Sequence, residues 1–237
     1  MISKDEIGDL SEAFNRMANS LKKADVELKD KQAEIEIENW IKTGQSELND
    51  LIRGEKSQAE LAQAIITFLA KYLDSQTGAV YLLNGKQNLE LTAGYAFSSN
   101  TEKFQQIQPG QGFIGQCALE GKPQLLSNIS DEYMSVDVGT TSLVPRNFVA
   151  TPFLFDEKVK GVLFLGALQP FTDIQNRFLE QVLEGIGIAF FSAQSRLWLQ
   201  ELLAETQRQS EELQTQQEEL RASNEELEEQ TQAVKES

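Results

Sequence analysis

The sequence predicts an α+β fold, a strand-bearing globular middle held between two long helices. Three observations lead there. Of the five prolines in 237 residues, none precedes Pro109 and none follows Pro170, so both ends are free of helix breakers. Apolar residues recur at helical spacing through both ends, which are otherwise polar and charged. Between them lie short apolar runs separated by glycine, proline and asparagine, the pattern of strands and turns.

The first helix is expected over about residues 4 to 53. Ser3 with Glu6 reads as a capping box. Ile7, Leu10, Phe14, Met17, Leu21, Ala24 and Leu28 then follow a 3-4-3-4 spacing, the seam of a parallel coiled coil or bundle. After Ile35 the phase changes, and Ile37, Ile41, Gly44, Leu48 and Leu51 form a second run. Such a break locally over- or underwinds a helix pair. The alternative is an imperfect helix packing on a globular domain.

In the middle, Ser57 and Glu60 form another capping box, opening a helix with Leu61, Ile65, Phe68, Leu69 and Tyr72 inward. TGAVYLLN and NLELTAGYA read as two strands around a turn at Asn84–Gly85. FIGQCALEG is a short helix closed by Gly121, and PQLLSN a strand. Ser130 to Val144 is turn-rich and aperiodic, hence a loop. RNFVATPFLF and KVKGVLFLGAL are the strongest strands, apolar on both faces and therefore buried on both. Asp156–Glu157 is the turn between them. The last helix starts at Thr172, with Gln175 completing a box-like cap, and continues to the end of the sequence, on the order of 100 Å.

That helix carries a strict repeat. Glu-Glu-Leu recurs every seven residues, placing Leu199, Thr206, Leu213, Leu220, Leu227 and Val234 at one heptad position, d. The a positions are Leu203, Ser210, Gln217, Asn224 and Thr231. Leucine at d suits a parallel two-stranded coil, and Asn224 at a fixes register at a cost in stability. Such a half-polar seam is marginal, as a switchable connector must be. The acidic pairs beside each leucine are solvated positions, not a general acid and base.

Composition narrows the function. A net charge of −16 without a basic cluster argues against nucleic acid as a partner. The single cysteine, Cys117, rules out an internal disulfide and suits a reducing compartment. The chain has no histidine, which removes histidine triads, most zinc sites and a phospho-accepting histidine. No catalytic constellation and no metal site is expected, nor a signal peptide or membrane-spanning run. Tyr81, Tyr95, Phe97, Phe113, Cys117, Tyr133 and Phe148 can line an apolar pocket or, as most such residues do, fill the core. Tyr133, in its long loop, is the candidate for a lid.

Three stretches resemble known families. DEIGDL followed by FNRM, with Asp5, Glu6, Gly8, Phe14, Asn15 and Met17, resembles the start of the second helix of a HAMP domain. That resemblance assigns residues 1–29 to HAMP and 30–56 to a connecting helix containing the phase break. It implies a homodimeric fragment of a membrane receptor, on the cytoplasmic side, whose parent is anchored in the bacterial inner membrane by segments upstream. Residues 57–195 resemble a GAF sensor domain, through Gly110, Gly112, Gly115, Gly121 and Pro123, then VATPFLFDEKVKGVLFLGA, PFTDIQNRFLEQV and GIGIAF. This implies a six-stranded antiparallel sheet with helices on both faces and a pocket, for a small molecule of unknown identity, opposite the terminal helices. Residues 196–237 resemble the connector ahead of the catalytic core in hybrid sensor histidine kinases, which implies a kinase core in cis beyond Ser237.

The resemblance also orders the site candidates. Gly110, Gly112 and Gly115 spell the dinucleotide fingerprint GxGxxG. Such a fingerprint must follow a strand and open a crossover helix, whereas here a proline precedes it and the helix is short. A tight loop is the better reading. Bilin-attaching GAF domains have a histidine beside the cysteine, but Cys117 is followed by Ala118 and reads as a small buried residue. Cyclic-nucleotide GAF sites often carry an Asn-Lys-Phe-Asp-Glu pattern, which Phe153, Asp156 and Glu157 echo at the wrong spacing. No cofactor is therefore expected. The sequence favours a signalling relay of a two-component kinase. The alternatives are a passive dimerisation scaffold and a regulatory module of a cyclase or diguanylate cyclase.

Overall fold

The computed structural model describes residues 4–97, 104–129, 136–137 and 142–235, with backbone alone at 4–13, 136–137, 142–143, 226–230 and 232–235. The first helix, α1, spans Lys4–Ile52, so the Ser3 cap lies outside the described residues. Helix α2 (Gln58–Tyr72) opens on the expected capping box, with the Ser57 side chain accepting from the Glu60 amide and the Glu60 carboxylate accepting from the Ser57 amide. Strands β1 (Thr77–Leu83) and β2 (Leu89–Tyr95) follow, then the two-residue β3 (Gln106–Ile107) and the short helix α3 (Gly112–Glu120). Next come β4 (Gln124–Leu126), β5 (Val136–Asp137), β6 (Ser142–Leu143), β7 (Asn147–Phe155) and β8 (Lys158–Ala167). Helix α4 (Asp173–Lys235) ends the described chain. Its start is boxed as expected, with the Gln175 amide donating to the Thr172 hydroxyl and the Thr172 amide donating to the Gln175 side chain.

Six strands form one antiparallel sheet in the order β3-β2-β1-β8-β7-β4. The expected sheet is present, and α+β is the class. Two details differ from the sequence reading. β3 was not expected, because two residues carry no period. The stretch read as a loop over 130–144 contains a two-stranded ribbon, Val136–Asp137 against Ser142–Leu143, too short to show alternation.

Both faces of β7 and β8 are buried, as their continuous apolar runs require. Val149, Phe153, Leu163 and Leu165 meet α1, α2 and α4 on one side. Phe148, Ala150, Val162 and Phe164 meet α3 on the other. Pro152 is accommodated in β7 because it lies beyond the last residue paired with β4.

The phase break in α1 marks a change of partner. Phe14, Met17, Leu21 and Leu28, before it, are largely exposed. Ile41 and Leu48, after it, are buried in the helix-side core, with Ile37 packed against it. Leu51 stays partly exposed and Ile52 takes its place. Four contacts, three from α1 and one from the segment just after it, show that α1 runs parallel to α4, since residue numbers rise together. They are Trp40 with Phe178 (5.4 Å between ring centroids), Gln45 with Gln181 (3.0 Å), Asn49 beside Gly185, and the Lys56 carbonyl with Arg196 (3.4 Å). The N-terminal arm of α1 and the C-terminal arm of α4 therefore leave the domain at opposite ends.

Helix α4 touches the sheet closely at Gly187, where a Cβ would lie 2.0 Å from the Leu154 carbonyl oxygen. A bulge at Phe153/Leu154 sits at the same point of β7. Beyond it, the hairpin turns through Asp156 and Glu157, at φ 53° and 59°, a two-residue turn with both residues left-handed. These sites give two substitutions of opposite sign. Gly187→Ala must push helix and strand backbones apart and is expected to destabilise by about 1–3 kcal/mol. Glu157→Gly relieves a left-handed residue and is expected to stabilise by about 0.5–1 kcal/mol. Urea denaturation followed by circular dichroism reads both.

Candidate functional site

The site lies on the α3 side of the sheet. Its loop is built by the glycines of residues 110–115. Gly110 and Gly112 have φ of 85° and 64°, and the Gly110 amide donates to the Gly115 carbonyl at 2.7 Å. A Cβ on Gly115 would lie 2.4 Å from the Gln108 carbonyl oxygen. The loop thus folds onto the first turn of its own helix, as the tight-loop reading anticipates. Gly121, left-handed at φ 63°, closes α3.

Between α3 and the sheet lies a cavity of about 260 Å³. Phe148 and Phe164, stacked at 5.6 Å, belong to its sheet wall. Phe113 and Ile114 come from α3, Phe104 from the segment leading into β3, Ile107 from β3 itself, and Leu126 and Ile129 from β4 and its exit. Gln111 and the backbone of Gly112 complete the lining.

Of the sequence candidates, Phe113 and Phe148 line this cavity. Phe97 stands beside it, edge-on to Phe104 and Phe164 at 6.1 Å from each. Tyr81 and Cys117 belong to the packed cluster on the same face and are fully buried. Tyr95 requires a correction, because it packs against the helix-side core on the opposite face. The register shifts at Val80/Tyr81, leaving Thr92 as an extra residue in β2. Leu89 and Leu91 therefore face the cavity side, while Ala93 and Tyr95 face the helices. Tyr133 lies outside the described residues. Phe104, Ile107, Ile114, Leu126, Ile129 and Phe164 were missed as site residues, and strict alternation in KVKGVLFLGAL would have placed Phe164 beside Val162.

The remaining candidates sit on the two arms. Asp5, Glu6 and Gly8 lie in α1 with backbone alone described, and Phe14, Asn15 and Met17 are exposed. Leu199, Leu203, Leu213, Gln217, Leu220 and Asn224 are exposed on α4, and Leu227 lies in the same helix with only its backbone described. No group of three or more potential metal-ligating side chains occurs among the described residues. No described helix is long and apolar enough to cross a membrane.

Cavity and sheet order together point to one fold family, and the sequence profile of the GAF domain matches residues 55–190. The chain belongs to the GAF-domain family. Solved structures agree on the fold. The GAF domain of an Acinetobacter phosphoenolpyruvate-protein phosphotransferase superposes with a TM-score of 0.54 at 19% identity, over 65% of this chain and 93% of that one. A free methionine-R-sulfoxide reductase from Neisseria meningitidis, in complex with its substrate, gives 0.54 at 15%, over 66% and 91%. A GAF domain from A. aeolicus in an inactive state gives 0.51 at 18%, over 67% and 99%. No curated protein has a sequence that matches this one.

Two titratable groups are buried in the GAF core. The Tyr81 hydroxyl has no hydrogen-bond partner among the described residues, and burial pushes its phenol well above the usual range. Burial first, and the Glu120 carboxylate second, push the Cys117 thiol up to about 12. A neutral thiol is a poor nucleophile, so Cys117 is held as a small apolar side chain. The sign of its pH effect follows. As pH rises from the ordinary thiol value of 9.0 towards about 12, the unfolded chain loses this proton before the folded one. Stability linked to Cys117 is therefore intact below pH 9.0 and declines above it. The urea midpoint of the native chain is expected to fall more steeply between about pH 8 and about pH 11 than that of Cys117→Ala, because the tyrosines contribute equally to both.

Proposed function

We propose that this chain is a sensor and relay module of a dimeric signalling protein, of the two-component kinase type. The observation that carries the reading is the course of α4. Traced back from Leu199 and Leu203, its heptad passes through Ser192, Gly185 and Phe178 at d, and Arg196, Ala189 and Val182 at a. Phe178 and Gly185 of this stripe lie against α1, and Arg196 reaches the Lys56 carbonyl in the segment that follows it. Where α1 ends, at Ile52, the stripe continues bare, and Leu203 and Leu213 are 70% and 62% exposed. The stripe is thus buried at Phe178 and Val182, half-buried from Gly185 to Arg196 beside the buried Ile186, Phe190 and Ala193, and bare beyond, where it asks for a second partner.

A second copy, in parallel and in register, supplies it. Each leucine buried is worth about 1.5–3 kcal/mol. The polar layers at Gln217 and Asn224 and the association cost of about 4–15 kcal/mol offset much of that gain. The result is a connector near balance, which a signal of about 1–3 kcal/mol shifts. The bare seam of α1 at the other end, with its HAMP-like sequence, is the input, and a kinase core in cis is the output.

Catalysis is not part of this reading, although the similar structures include free methionine-R-sulfoxide reductases. Reducing a sulfoxide takes two electrons, which a pair of thiols supplies by becoming a disulfide. This chain has one thiol, and it is buried and neutral.

Cysteine cross-linking in a Cys117→Ala background tests the proposal. Leu213→Cys and Leu220→Cys, at d, are expected to form same-residue disulfides between copies quickly, and Thr215→Cys, on the outer face, slowly. Adding Gly187→Ala, which shifts α4 against the sheet, is expected to change the d-position yields. A monomer, or no preference for d positions, overturns the dimeric connector. A d pattern indifferent to Gly187→Ala leaves a passive scaffold.

A further inference from the structure

The cavity beside α3 has a chemistry of its own. Its sheet wall presents the rings of Phe148 and Phe164, its helix wall Phe113 and Ile114, and its outer wall Leu126. Among the described residues none of the lining is ionisable, and Gln111 is its one polar side chain. A phosphate or other anion placed there would lose its hydration without gaining a cation, a cost of several kcal/mol. An uncharged ring or short aliphatic body would instead replace water over apolar walls. At about 260 Å³ the space falls just under the range of about 300–1,000 Å³ typical of drug-sized ligand sites, so one or two rings fill it. Among the described residues two of the walls are incompletely covered, since Phe104 and Leu126 are 37% and 38% exposed.

We infer that the cavity between α3 and the sheet binds a small, uncharged, predominantly apolar molecule of one or two rings, and that nucleotides are not its ligands. The inference deepens the sensor reading by naming the ligand class, but it is tested by binding alone, so a failed relay leaves it standing. Indole and the neutral fluorophore N-phenyl-1-naphthylamine are suitable probes. The fluorophore is expected to bind the full chain at one saturable site per protomer and to be displaced by indole, while cyclic AMP, cyclic GMP and benzoate leave it bound. Leu126→Asp places a charge on the exposed wall without disturbing buried packing and is expected to weaken the fluorophore at least tenfold. Leu119→Asp, exposed on α3 away from the lining, is expected to leave it unchanged. Independently of any variant, methyl NMR of the native chain titrated with indole should shift Ile107, Ile114 and Ile129 first. Displacement by either cyclic nucleotide, undiminished binding to Leu126→Asp, or shifts confined to the exposed leucines of α4 would each overturn the inference.

Discussion

One aromatic clasp fixes the orientation of everything else. Tyr72, at the end of α2, stacks on Trp40 of α1 at 4.7 Å and on Phe68 at 5.2 Å, and lies 5.1 Å from Phe178 of α4. Its hydroxyl donates to the Trp40 carbonyl at 2.6 Å. The rings close over Gly44, where a Cβ would stand 2.5 Å from Tyr72 and 2.7 Å from Phe178. Only glycine at this turn of α1 lets three helices meet there. The contact also selects which side of α1 faces the domain. The step from Ile35 to Ile37 is two residues, roughly 200° around the helix, so the bare seam and the buried run lie on nearly opposite sides. A domain can grip α1 through one side and leave the other for a partner further up.

The sheet then separates two environments by the thickness of its own strands. Phe148 and Phe164 belong to the cavity side, and their neighbours Val149, Leu163 and Leu165 to the helix side. Close-packed interiors do not absorb displacement gradually. A molecule seated on the Phe148–Phe164 wall therefore bears on strands whose other face carries α4. At Gly187 no side chain intervenes between α4 and β7. Sensing on one face and movement on the other need no further linkage than this shared wall.

Most of this architecture was legible because it is written in periods and caps. The boxes at Ser57–Glu60 and Thr172–Gln175, the turns at Asn84 and Asp156–Glu157, and the both-sided apolar strands each have a local physical cause, and each stands where the sequence places it. What escaped lacks such a cause. β3 is two residues long and exists only because β2 offers it an edge. The misplacement of Tyr95 follows from Thr92, whose extra place in β2 inverts the alternation. The cavity was half legible. Phe113 and Phe148 were identifiable as aromatic residues, but the aliphatic lining from Ile107, Ile114, Leu126 and Ile129 looks in sequence like any other core.

The two arms differ in a way that bears on how a relay could work. Helix α1 changes phase at the domain boundary, whereas α4 keeps one heptad from Phe178 to the last leucines. Under the relay reading a helix with unbroken phase would transmit rotation as a rod does, carrying a turn of α4 against β7 on to Leu213 and Leu220. A helix whose seam jumps about 200° cannot impose its upstream register directly on the domain. Input at α1 would reach the GAF core only through the clasp at Gly44, by tilting or sliding α1 against Tyr72 and Phe178. Output through α4 would need no such conversion. Under the relay reading the molecule is thus directional: upstream motion is filtered by a tight aromatic contact, and both that motion and ligand binding converge on one continuous helix.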